Sequence, residues 1–316
     1  MRKLIAVLCT TIFLVGLLSG CTNNTGILPE ETKETVTEIA SKTESGTPPS
    51  GNGGELQMSE QPIYEYQTQE LYAERDGNQI YGVIYIPQNA GEKMPAVIYS
   101  HGFGDSYRSG TEYAQALAAR GCVVYCFDFC GGSQSSRSDG SFYEMSIFTE
   151  QADLEAVMGM LRELDYVDEN NLFLLGSSQG GAVSAITAAD NSETVKGAIL
   201  LYPAFVLVDD IKDMFDRVDE IPETFFLRWT TVGRAYAENL LDYDFYEEIS
   251  RYEKDVLLIH GDADGVVPLS YSERAVEVYP SATLEVIPGA GHGFYGRQAD
   301  QAIEYIVQYL KTQIES

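Results

Sequence analysis

From about Pro62 onward, two hydrophobic periods take turns along the chain. Apolar and polar residues alternate over residues 64–73 and 80–86, on either side of Arg75-Asp76-Gly77-Asn78. That pattern predicts a β-hairpin closed by an Asp-Gly turn. Short apolar runs follow at residues 96–100, 122–127, 172–175, 198–201, 256–260 and 283–287. Helix-like stretches lie between or after them, at 112–120, 149–164, 179–189, 270–278 and 299–314. Strands interleaved with helices predict a mostly parallel central sheet flanked by helices on both faces. The alternation stops over residues 204–248, an acidic and aromatic stretch carrying Phe205, Phe215, Phe225, Phe226, Trp229, Tyr236 and Tyr243. It is too long and too apolar for a plain loop. It is read as a cap inserted over the carboxyl edge of the sheet, expected to set specificity rather than to supply chemistry. Its aromatics are expected to bury the acyl group, and its acidic residues to disfavour anionic substrates.

The chain ahead of Pro62 reads differently. Arg2 and Lys3 precede an apolar stretch over residues 4–18, shorter than the ~20 residues of a membrane span. Leu18-Ser19-Gly20-Cys21 then resembles the lipobox of bacterial lipoproteins. That resemblance implies a signal peptide over residues 1–21, cleavage before Cys21 and lipidation of Cys21. It also implies an extracytoplasmic protein held by its lipid on the outer face of a bacterial membrane. Residues 22–61 are rich in Thr, Ser, Glu, Gly and Pro, a composition that buries too little apolar surface to offset chain entropy. They are expected to be a disordered tether to a catalytic domain over residues 62–316.

The formal charge of −28 repels phosphate backbones, so no nucleic-acid partner is expected. Of the five cysteines, Cys122, Cys126 and Cys130 fall in or just after one apolar run. Period-two alternation would put all three on one face of a strand, with Cys126 and Cys130 roughly 13 Å apart, too far for a disulfide. No Cys-x-x-Cys, zinc-type His/Cys cluster or nucleotide-binding glycine loop occurs, so neither metal nor cofactor is expected.

The chemistry centres on Gly176-Ser177-Ser178-Gln179-Gly180-Gly181, which follows one apolar run and precedes a helical stretch. Gly-x-Ser-x-Gly between a strand and a helix is a nucleophile elbow, with Ser178 at its tip. A serine hydroxyl needs a base. Among His101, His260 and His292, only His292 sits in a glycine-flanked loop between the last apolar run and the terminal helix. His260 ends an apolar run and reads as a structural residue. The base needs an acid to hold its tautomer. Residues 260–268, HGDADGVVP, offer Asp262 and Asp264. An oxyanion needs donors: the backbone N–H of Gln179, after the nucleophile, and that of Phe103 in Ser100-His101-Gly102-Phe103-Gly104. Asp128 precedes Ser178 in the chain and is read as a structural hydrogen-bonding residue.

The motifs HGFG (101–104), FDFCGGSQS (127–135), GSSQGG (176–181), HGDADGVVP (260–268) and GAGHGF (289–294) stand in the order found in α/β hydrolases. From about residue 64 onward the chain resembles that superfamily, and within it the bacterial cinnamoyl (feruloyl) esterases of the serine aminopeptidase/monoglyceride-lipase-like group. The family pattern H-G-x-x-D-x-x-V-P selects Asp264 as the triad acid and leaves Asp262 as a solvated turn residue. Relatives often carry Gly-His-Gly after the Asp where this chain reads FDFCGGSQSS (127–136), so the shape of that loop is open. The resemblance implies an α/β-hydrolase fold and a cofactor-free serine carboxylic-ester hydrolase. Its triad would be Ser178, His292 and Asp264, acting on hydroxycinnamoyl or other small acyl esters. Lysophospholipase, monoglyceride lipase and small-substrate peptidase activities are alternatives on the same machinery, and a silent ligand-binding lipoprotein is the non-enzyme alternative.

Overall fold

The computed structural model describes residues 63–315. The signal segment with Cys21 and the tether lie outside the described residues. The chain enters through an antiparallel hairpin of β1 (Tyr66–Arg75) and β2 (Asn78–Pro87), paired from Tyr66↔Pro87 to Arg75↔Asn78. Asp76 and Gly77 both have positive φ, 52° and 85°. That is the backbone of a type I′ turn, in which Gly carries no Cβ penalty and Asp a small one.

The body then alternates: β3 (Met94–Ser100), α1 (Thr111–Ala118), β4 (Val123–Phe127), α2 (Ile147–Arg162), β5 (Val167–Ser177), α3 (Gln179–Asp190) and β6 (Val195–Leu201). After β6 the alternation breaks into α4 (Leu207–Met214), the hairpin β7 (Thr224–Leu227) and β8 (Thr230–Gly233), and the short helices α5 (Ala235–Glu238) and α6 (Phe245–Ile249). It resumes as β9 (Val256–Gly261), α7 (Ser270–Val278), β10 (Ala282–Ile287) and α8 (Arg297–Glu315).

The eight body strands form one sheet in the order β1-β2-β4-β3-β5-β6-β9-β10. β2 runs antiparallel to both β1 and β4, and every later pairing is parallel. The central strands β3, β4, β6 and β9 are buried on both faces, which is why these runs read as nearly continuous apolar stretches. In β4, Val123, Tyr125 and Phe127 pack with α2 and α3 on one face, and Val124 and Cys126 with α1 and α8 on the other. The helix α2 starts in a capping box: Ser146 Oγ accepts from Thr149 N at 3.2 Å, and Thr149 Oγ1 accepts from Ser146 N at 2.8 Å. Two orphan donors of the first turn are thereby satisfied, and that turn carries Glu150.

One expectation fails here. Cys122 and Cys126 do share a core, but Cys130 packs in the opposite one. The strand ends at Phe127, and the chain leaves the ladder as Phe129 N donates to His101 Nε2 at 3.1 Å and Cys130 N to Asp153 Oδ2 at 2.8 Å. Period two therefore does not extend to residue 130. All three thiols are buried and unpaired.

Candidate active site

Ser178 occupies the turn between β5 and α3 with φ 51° and ψ −119°. Such a conformation costs a non-glycine residue roughly 1–3 kcal/mol and persists only where its surroundings enforce it. Four bonds do so. Ser178 N donates to Leu201 O at 2.9 Å, and Ser178 O accepts from Gly181, Ala182 and Ala204 N at 2.9 to 3.1 Å. The flanking glycines are sterically required: a Cβ on Gly176 would stand 2.1 Å from Gly180 O, and one on Gly180 would stand 2.2 Å from Ser100 O. Ser177 Oγ is turned into the core, 2.9 Å from Tyr99 OH.

The hydroxyl of Ser178 is 2.9 Å from His292 Nε2, and His292 Nδ1 is 2.8 Å from Asp264 Oδ2. The tautomer with hydrogen on Nδ1 satisfies both contacts and leaves Nε2 free to accept the serine proton. Asp264 is fully buried at its side chain, and its Oδ1 accepts from Val266 and Val267 N at 2.8 and 3.0 Å. Burial acts to raise its pKa. The bonds from His292 and from the Val267 and Val266 amides outweigh that and hold the carboxyl below its ordinary value. Asp262 is exposed and accepts from Gly289 N. The edge of the Tyr202 ring packs on the imidazole, with centroids 4.8 Å apart.

His260 contributes more than strand structure. Its Nε2 lies 2.9 Å from Val267 O and 3.3 Å from Asp264 Oδ2, and its Nδ1 lies 2.7 Å from Ser272 Oγ. The assigned tautomer is Nε2–H, with Ser272 donating to Nδ1. Burial pushes its pKa down, so the ring stays neutral. The signal was available, because His260 opens the same motif that carries Asp264.

Phe103 sits in the loop after β3. Among the described residues, neither its backbone N–H nor that of Gln179 has a protein acceptor. His101 braces this loop. Its Nδ1–H donates to Gly102 O at 2.8 Å, and its Nε2 accepts from Phe129 N at 3.1 Å. Gly104 N donates to Gly132 O at 3.1 Å, which gives the Cys130-Gly131-Gly132 loop its role as a second brace. Asp128 is structural: its carboxylate accepts from Tyr107 N at 2.7 Å and Arg137 N at 2.8 Å. A Cβ on Gly102 would stand 3.3 Å from Ser178 Cβ, crowding the nucleophile.

These groups open on a cavity of about 220 Å³ walled by Phe103, Leu207, Arg228, Trp229, Val266 and Tyr295. A larger depression of about 850 Å³ lies in the cap beside Lys212, Tyr243 and Arg274 and contains none of the reacting groups. Chemistry selects the smaller one. Of the cap's aromatics, only Trp229 lines it. Phe205, Phe225 and Tyr236 are buried, and Phe226 faces outward. The cap supplies no acidic side chain to the wall: its charged contribution is Arg228, whose guanidinium pairs with Asp210 at 2.7 Å, and the carboxylate there, Asp105, comes from the loop after β3. Among the described residues, no group of three His, Cys, Asp or Glu side chains is arranged to hold a metal ion.

The model of the serine aminopeptidase S33 family matches residues 91–255, just over half of the chain. The chain belongs to that family. A model described as TAP-like protein matches residues 244–314, the part that carries Asp264 and His292. Est1E from Butyrivibrio proteoclasticus, solved with ferulic acid bound, superposes on this S33-family chain with a TM-score of 0.71. It is 25% identical, and the match covers 78% of this chain and all of that one. Alpha/beta hydrolase domain-containing protein 17C of Xenopus tropicalis is 26% identical over 90% of this chain and 84% of its own length. Monoglyceride lipase of Rattus norvegicus is 26% identical over 62% of this chain and 63% of its own. The fold is the α/β-hydrolase fold, and the S33-family chain is a hydrolase.

Proposed function

We propose that this hydrolase is a serine carboxylesterase acting through an acyl-enzyme. The observation that carries the reading is the chain of contacts from Ser178 Oγ through His292 to Asp264, at 2.9 and 2.8 Å, beside two backbone N–H groups without protein acceptors. In the proposed cycle His292 Nε2 takes the Ser178 proton as Oγ bonds to the ester carbonyl carbon. The carbonyl π pair moves onto oxygen, where the Phe103 and Gln179 amides receive it. Collapse expels the alkoxide, which takes the proton from the imidazolium. Water then repeats the sequence on the acyl-enzyme and releases the acid. Asp264 holds the imidazole tautomer and stabilises its cation.

The cavity is below the ~300–1,000 Å³ of whole-ligand pockets, which suits an acyl group inside and the alcohol at the mouth. Phe103, Trp229 and Tyr295 favour a flat acyl group such as a hydroxycinnamate, and the likeness to the ferulic-acid-bound esterase supports the same class. Trp229→Ala tests this. Losing one exposed aromatic wall should lower kcat/KM for a hydroxycinnamoyl ester about tenfold relative to an acetyl ester, the equivalent of ~1.4 kcal/mol. An unchanged ratio would remove the aromatic preference from the reading. The proposal extends to location: an extracytoplasmic enzyme tethered through lipidated Cys21. Mass spectrometry finding Cys21 unmodified in the mature protein would contradict the anchor.

A further inference from the structure

The side chain of Gln179 is buried, and both ends of its amide are held. Its Nε2 donates to Glu150 Oε2 at 2.8 Å, with Met145 Sδ at 3.8 Å, and its Oε1 accepts from Tyr236 OH at 2.6 Å. Glu150 comes from the first turn of α2, in the body of the domain, and Tyr236 from α5, in the cap. Glu150 and Tyr236 are each 1% exposed, so the network is dry. The Tyr236 ring also packs edge-on against Phe103, with centroids 5.7 Å apart. One cap residue therefore touches both residues whose backbone N–H groups are the candidate oxyanion donors.

We propose that Tyr236 and Glu150 are positioning residues that act through the Gln179 side chain, so that seating of the cap sets the oxyanion donors. The inference rests on the serine-esterase reading given above. Gln179 is the first residue of α3, where no intrahelical bond holds its N–H. Its orientation depends on the turn behind it and on where its side chain is tied. A donor displaced by a fraction of an ångström loses much of its worth to a transition state, because the advantage lies in preorganisation. In a dry site each end of the Gln179 amide must find a partner, and these two residues are the partners available. The cap is then part of the reaction apparatus as well as a wall for the acyl group.

The test uses Tyr236→Phe, Glu150→Met and Glu150→Gln in the full chain, with thermal melts to check folding. Tyr236→Phe should lower kcat about tenfold, less than the ~10²–10³ lost when an oxyanion donor is removed outright. The loss should be the same for acetyl and aryl-acyl esters, with KM little changed. Affinity for a trifluoromethyl ketone, which presents an oxyanion to the site, should fall by the same factor. Glu150→Met should behave likewise, and Glu150→Gln, which keeps an acceptor, should recover most of the loss. If Glu150→Met does not fold, Tyr236→Phe decides alone. Unchanged kcat and ketone affinity in folded Tyr236→Phe, or a loss confined to one acyl group, would overturn the proposal. Fluorophosphonate labelling of each variant separates this failure from that of the parent reading: no adduct on Ser178 in the wild-type chain removes the esterase mechanism itself.

Discussion

The Nε2 of His260 stands 3.3 Å from the Asp264 oxygen that also meets His292, and both side chains are fully buried. The acid of the candidate triad is thus held by a second histidine that never faces the cavity. Burial depresses the pKa of His260, so the folded state binds fewer protons here than the unfolded chain. Stability should therefore fall as pH drops below about 6.5, the ordinary histidine value, and continue falling to the folded pKa. His260→Gln, which has nothing to protonate, should lack that share of the acid-side loss. Thermal melts of both proteins between pH 4.5 and 8 make the comparison. Parallel Tm profiles would show that His260 does not titrate as described.

Glu150 predicts the opposite slope. Burial, reinforced by nearby Asp153 and opposed by the Gln179 amide, pushes its pKa well above the ordinary carboxylate value. The folded state then binds more protons than the unfolded chain at every pH between the two pKa values. Its contribution to stability is greatest below the unfolded value, about 4.5, and declines by roughly 1.4 kcal/mol per pH unit above it until the folded pKa is reached. Glu150→Gln should consequently raise Tm at pH 7 and change it little at pH 4. An equal change at both would mean that folding does not raise the pKa of Glu150.

Gly180 has no room for a side chain. A methyl group there would meet the Ser100 carbonyl at 2.2 Å and the His101 carbonyl at 2.4 Å, both backbone atoms of the loop that carries Phe103. Gly180→Ala should therefore cost about 1–3 kcal/mol of stability or push that loop away from Ser178. Denaturant unfolding together with esterase assay tests this. A variant with wild-type stability and turnover would show that the elbow is looser than these contacts imply.

What could be read in advance follows the range of each constraint. The β1–β2 hairpin, the elbow around Ser178 and the loop of His292 depend on a few consecutive residues, and the glycines that permit them are visible in order. The fold class was legible because strands buried on both faces leave continuous apolar runs between amphipathic helices. The face of Cys130 was misread because nothing in its own run marks the end of β4 at Phe127; the amides of Phe129 and Cys130 are taken instead by His101 and Asp153, which are distant in sequence. The bond from Tyr236 to Gln179 joins residues 57 apart, and the ring of Tyr202 reaches His292 from the far end of β6. Such contacts exist only after distant parts of the chain have packed together. For the same reason an aromatic-rich insert suggested an aromatic pocket, whereas most of those rings form the cap's own interior.

Labelling with a fluorophosphonate, followed by peptide mass spectrometry, tests the central claim most directly. The reagent needs a serine activated by a base, and Ser178 and Ser177 are adjacent, so the modified atom separates the candidate nucleophile from its buried neighbour. The account predicts a single phosphonyl adduct on Ser178, abolished in Ser178→Ala and His292→Ala and kept in Ser177→Ala. It also predicts that turnover falls by several orders of magnitude in the first two variants, as for other members of a catalytic triad. An adduct on Ser177, or a Ser178→Ala protein that still labels and hydrolyses esters, would contradict it.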